Sequence, residues 1–200
     1  DEICDPSLGC VVCVPNELYC GGPTANDVYR CNGTGTGGDF VEECPADQVC
    51  SNGACKTPCE AALDKPSNVG CDFWAVDLDN ESSNIGGLTS DAAAQQLAII
   101  VANNNDYAIT VTVTKNTARV GQPINEQVVV TTNVAPRVAH RIDLPQREVD
   151  GAMGQNGTYT PNSGSGTFVS PHAYHVVTTG PAVVYQFNPI VQQFSNDAST

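Results

Sequence analysis

The ten cysteines of this chain, Cys4, Cys10, Cys13, Cys20, Cys31, Cys44, Cys50, Cys55, Cys59 and Cys71, all fall within its first 71 residues. That density marks a disulfide scaffold. A stretch so short has too few apolar side chains to bury a sufficient core, and each bridge offsets the deficit by about 2–4 kcal/mol. The even count, with no cysteine downstream, points to complete pairing in an oxidising compartment. Ten cysteines allow about 945 pairings. Cys59–Cys71 is the one bridge the sequence favours.

Between the cysteines the sequence reads as short loops and turns. Val28–Cys31 and Asp39–Cys44 are two short strands, and the glycine-rich stretch Asn32–Gly38 joins them as a hairpin. Asn52-Gly53, centred between Cys50 and Cys55, is the tight-turn dipeptide. Glu60–Leu63 is a short helical candidate that ends before Pro66.

From Trp74, the only tryptophan, the pattern switches to a period of two. Strands are expected over Phe73–Leu78, Gln96–Ala102, Tyr107–Thr114, Ile124–Thr132 and Val138–Leu144. A closing hairpin is expected from His172–Thr178 and Ala182–Phe187 across Thr179-Gly180-Pro181. Residues 92–94 read as a lead-in with one helical turn, and 151–166 as a long surface loop. The expected fold is mainly β. A disulfide-stapled module over 1–71 precedes an antiparallel β-sandwich over 72–200, Ig-like or jelly-roll-like and open at its C-terminal end.

Acids outnumber bases 22 to 8, for a net charge of −14. With no basic patch, nucleic acid and anionic membranes are poor partners. The longest apolar run, Leu97–Ala102, is strand-sized, so no membrane insertion is expected. Asp1 reads as a mature N-terminus whose export signal has been removed.

Candidate chemistry is sparse. Gly33–Gly38 satisfies a dinucleotide-binding glycine pattern only in letter, because a strand rather than a helix follows it. Cys10-Val-Val-Cys13 has redox or zinc spacing, but among eight other cysteines it reads as structural. His172 and His175, three apart on a strand, point to opposite faces, and His140 reads as a core-edge residue. No nucleophile elbow surrounds any serine, and no cofactor is expected apart from Ca²⁺. Asp77 and Asp79 are the leading metal ligands, two hard oxygen donors on one strand face. Trp74 beside a disulfide reads as core, with a ligand platform shared with Tyr185 as the alternative. Asn32, Asn80 and Asn156 begin glycosylation sequons.

Several stretches resemble a known family: Cys71–Asn80, Ala102-Asn103 with Tyr107-Ala108, Ala173-Tyr174, Gly180–Pro189 and Ser195–Ser199. They are similar to the bacterial branch of the IgGFc-binding protein N-terminal domain family, over roughly 70–200. The resemblance implies an extracellular β-rich binding or adhesion module with no catalytic residues, and it does not extend to binding antibody Fc. Family domains continue into further strands, so the resemblance also implies strands beyond Thr200 or from another chain. The expected function is a non-catalytic extracellular adhesion or binding protein. Its partners would be a protein or glycan ligand at the cell surface, met by the 151–166 loop and the sheet edges. The alternative is a structural subunit of an extracellular filament or sheath, whose partners are copies of itself joined by strand addition.

Overall fold

The computed structural model describes residues 3–5, 9–78, 82–86, 88–91, 95–149 and 169–190. The chain divides into two compact units, Asp1–Ser67 and Asn68–Thr200. The division precedes the expected one because the strand Val69–Ala75, which carries Cys71, pairs within the second unit.

The first unit is a set of small antiparallel pieces. β1 (Ile3–Asp5) pairs with β2 (Gly9–Val11). β3 (Leu18–Gly21), β4 (Asp27–Cys31) and β5 (Gly38–Glu43) form a three-stranded sheet in that order. β6 (Val49–Ser51) and β7 (Ala54–Lys56) close a hairpin in which Asn52 and Gly53 both take positive φ, 50° and 72°, as that tight turn requires. The glycine-rich stretch is the hairpin connection between β4 and β5, with Cys31 opposite Gly38. Gly35 sits in it at φ +73°, where an added Cβ would lie 2.8 Å from Val11. No side chain fits there.

Bridges Cys13–Cys31, Cys20–Cys50 and Cys44–Cys55 tie these pieces together. Cys10, Cys59 and Cys71 are disulfide-bonded as well. Cys13 is thus bonded to Cys31 and not to Cys10, so the Cys-Val-Val-Cys spacing is structural. The single helix of the described residues, α1 (Pro58–Leu63), starts with a reciprocal cap. Thr57 Oγ1 accepts from the Glu60 N–H, and Glu60 Oε2 accepts from the Thr57 N–H at 2.9 Å. Asp64, just past the helix, accepts from Lys56 Nζ at 2.7 Å and from Ser51 Oγ at 2.7 Å. Those contacts, with Lys56 foremost, lower its pKa.

The second unit is built on β8 (Val69–Ala75), β11 (Ala98–Asn103), β12 (Ile109–Asn116), β13 (Glu126–Val134), β14 (Val138–Asp143) and β15 (Tyr174–Phe187). A separate hairpin, β9 (Ser82–Ile85) with β10 (Leu88–Asp91), was not expected from the sequence. The six main strands join in one curled, wholly antiparallel sheet of order β13-β12-β15-β11-β14, with β8 added on β15. Inward residues at alternate positions, among them Ile99, Val101, Val111, Val113, Tyr174 and Val176, fill its core. The lead-in over 92–94 and the loop over 151–166 lie outside the described residues.

The expected closing hairpin is instead one strand, β15. Its first half pairs with β12 as far as Thr178, and its second half pairs with β11 from Val183. Gly180-Pro181 therefore marks an exchange of partners and not a reversal of the chain. Proline can stand there because no ladder bond is asked of it. Gly180 is needed for space: an added Cβ would lie 2.9 Å from Ile109 Cγ2 and 3.0 Å from the Tyr107 ring. Nearby, the buried side chain of Asn103 donates to the carbonyls of Tyr107 (2.8 Å), Val134 (3.1 Å) and Ala135 (3.1 Å). Its Oδ1 accepts from Asn105, which in turn donates to the Pro181 carbonyl at 2.8 Å.

Two substitutions test this joint by thermal or denaturant unfolding. Gly180→Ala overpacks it and should cost about 1–3 kcal/mol. Asn103→Ala strands buried carbonyls and should cost about 1–3 kcal/mol or more.

Candidate functional site

On a strand whose alternate residues are buried, the intervening ones must stand on the outer face. On β8 those are Asp72 and Trp74. On β15 they are His175 and Val177, on β12 Thr112 and Thr114, and on β13 Val128 and Thr131. Register sets them in two rows across four strands. Trp74, His175, Thr114 and Val128 are successive partners in one, and Asp72, Val177, Thr112 and Thr131 in the other.

Trp74 is 57 % exposed, so it is not the core residue its place beside a disulfide suggests. Its indole stacks on the His175 imidazole, with centroids 4.4 Å apart and planes 7° from parallel. The Tyr185 alternative fails on distance. Tyr185 lies ten residues along β15 from Trp74's partner His175, roughly 33 Å at the usual rise per residue.

His175 lies between two carboxylates, hydrogen-bonded to one through Nδ1 and ion-paired with the other across Nε2, which makes no hydrogen bond among the described residues. Nδ1 lies 2.6 Å from Glu126 Oε1, and Nε2 lies 3.2 Å from Asp72 Oδ2. Burial pushes its pKa down, but the two carboxylates outweigh that and hold it above the ordinary 6.5. The protonated ring is then a cation against an aromatic face, a further attraction. The result is an exposed tryptophan with one ring face stacked on an imidazole that is itself held by carboxylates. A lone exposed apolar side chain is ordinary. An aromatic clamped this way, with exposed Val177 on the neighbouring strand, forms a patch.

A second group of polar side chains lies at the other side of β15. Asp77 is fully buried. Its Oδ2 accepts from the Arg147 N–H at 2.7 Å, its Oδ1 from Asn188 Nδ2 at 3.2 Å, and its carbonyl from the Val149 N–H at 3.0 Å. Burial raises its pKa against those hydrogen bonds. Arg147 Nη2 donates to the carbonyls of Asn116 and Pro171. The buried Tyr174 hydroxyl donates to the Pro145 carbonyl at 2.6 Å, and burial pushes its pKa up to about 12. A cavity of about 340 Å³ is lined by Lys115, Arg147, Glu148, His172 and Tyr174 among others.

Of the expected metal pair, Asp77 serves here as a buried acceptor that fastens 147–149 to the end of β8, and Asp79 lies outside the described residues. Among the described residues no three His, Cys, Asp or Glu side chains come together as a metal site. His172 and His175 are apart as expected: His172 Nδ1 faces the Glu148 carbonyl at 2.8 Å, while His175 lies on the outer face. Asn32 is the one sequon asparagine among the described residues, and its amide is bonded within its own loop to Thr34 and Thr36.

No protein-family model, no curated protein and no solved structure matches this chain. Its chemistry must be read from the residues themselves. What they establish is a mainly-β, disulfide-bonded protein of a non-cytoplasmic, oxidising environment. No helix among the described residues is long and apolar enough to cross a membrane.

The Trp74–His175 pair makes a pH prediction. The folded chain holds the His175 proton more tightly than the unfolded chain does. The stability from this contact is therefore complete below pH 6.5 and is lost as pH rises through the raised value. Unfolding midpoints compared at pH 6 and pH 8 should show that loss in wild type and not in His175→Gln. Glu126 and Asp72 are the titratable groups facing the ring, so the comparison stays above the carboxylate range.

Proposed function

We propose that this chain is a non-catalytic extracellular adhesion or binding protein whose contact surface is the outer sheet face around Trp74. The observation that carries this reading is the clamped, solvent-facing indole. Two carboxylates and an imidazole order the ring, which lowers the entropic cost of using it in binding. Aromatic anchors of this kind supply much of the energy at binding surfaces. The stretches similar to the IgGFc-binding protein N-terminal domain family support the same reading, because that resemblance implies adhesion without catalysis. Two of them, Cys71–Asn80 and Ala173-Tyr174, flank or contain strand residues of this face.

The test is solid-phase binding of the full chain to a panel of immobilised polysaccharides and glycosylated extracellular proteins. Wild type should be retained by at least one member. Trp74→Ala should lose at least tenfold of that affinity, with its circular dichroism and melting temperature close to wild type. Equal retention of the variant, or no retention of wild type by any member, would overturn the reading. Light scattering on the same sample that showed a polymer in place of a monomer would move the filament alternative to first place.

A further inference from the structure

We infer, building on the reading of the Trp74 face as a binding surface, that its ligand is a neutral or amino-substituted saccharide. Shape is the first constraint. The face is part of a sheet, and its four strands span about 14 Å at the usual spacing between neighbours. A ligand that uses both rows lies across the strands.

Chemistry narrows the choice. One row has the exposed indole at one end and exposed Val128 at the other. The adjacent row offers, in order, the carboxylate of Asp72, the apolar Val177 and the hydroxyls of Thr112 and Thr131, which face each other across β12 and β13. A pyranose ring has the matching alternation, with a face of C–H groups and a rim of hydroxyls. Its C–H face packs on an indole, and its hydroxyls donate to a carboxylate and exchange hydrogen bonds with threonines. A purely apolar partner would leave those hydroxyls and the carboxylate desolvated without hydrogen bonds.

Charge excludes the acidic alternatives. Asp72 and Glu126 flank the imidazole on which the indole stacks, and the only cation within the two rows is His175, already held between them. No lysine or arginine stands in either row. A uronate, sulfated sugar, nucleotide or anionic lipid would meet two carboxylates on a chain of net charge −14. An amino sugar would meet them favourably.

Trp74 is the only tryptophan in the chain, so its fluorescence reports this face alone. The experiment titrates the full chain with neutral glucose-, galactose- and mannose-based oligosaccharides, with amino and N-acetylamino oligosaccharides, and with a uronate oligomer. At least one neutral or amino oligosaccharide should change the emission saturably, and Asp72→Ala should weaken that binding at least fivefold. Thr112→Val/Thr131→Val, which keeps shape and removes both hydroxyls, should weaken it as well. Uronate binding as tight as neutral binding would overturn the inference. So would saturation by a protein ligand with no response to any saccharide, although the binding-face reading would then stand. If nothing perturbs Trp74, and Trp74→Ala matches wild type across the solid-phase panel, both readings fall.

Discussion

The second unit depends on β15. Its first half completes the ladder with β12, its second half completes the ladder with β11, and β8 pairs along both. Without this strand, β12-β13 and β11-β14 are two separate antiparallel pairs, and such isolated pairs are marginal in water. The exchange of partners needs a residue with no side chain where Ile109 and Tyr107 close in, and then a residue that owes no ladder bond. Gly180-Pro181 supplies both. The Asn103–Asn105 hydrogen-bond chain ties the same place to two neighbouring connections. Buried polar groups of this kind specify one arrangement when every donor and acceptor is satisfied.

The period-two pattern made most strands legible. Ile109, Val111 and Val113 alternate with threonines, and the structure buries the first set and leaves Thr110 and Thr112 half-buried on the outer side, while Thr114 is covered. Asn52-Gly53 and the loop from Asn32 to Gly38 were readable as turns because local backbone sterics decide them. Gly180-Pro181 carries the same local signature but was misread, because what it does there is set by Ile109 and Tyr107, some seventy residues earlier in the chain. Local sequence holds no record of such a neighbour. The β9-β10 hairpin was missed for a related reason, since Ser82–Asp91 lacks the apolar alternation that marks a half-buried strand.

The site was less legible than the fold. Trp74 was read as core because large aromatics usually are, and nothing in its own neighbourhood says that its outward partner is His175, about a hundred residues later. A signal was nonetheless present. Trp74 alternates with Phe73 and Ala75, and those two face the core, so the period assigns Trp74 to the outer side. Asp77, just past the end of β8, keeps the parity of Phe73 and Ala75 and is buried as they are, so the same period withdraws it from an exposed metal pair. There a bridge to Glu148 and a hydrogen bond from Arg147 bury it.

The position of β15 in the chain has a kinetic consequence. Among the described residues it is the last strand of the sheet in sequence and a central one in space, and its partner β8 begins about a hundred residues earlier. Loop closure of that length precedes any gain from the pairing, so the sheet cannot close until nearly the whole unit is available. Until then β8 and β11 lack their partner, and apolar stretches such as Ile99–Val101 stay uncovered. The sheet of the second unit therefore stays open while its other strands are already present, and its closure is the late event of that unit's folding.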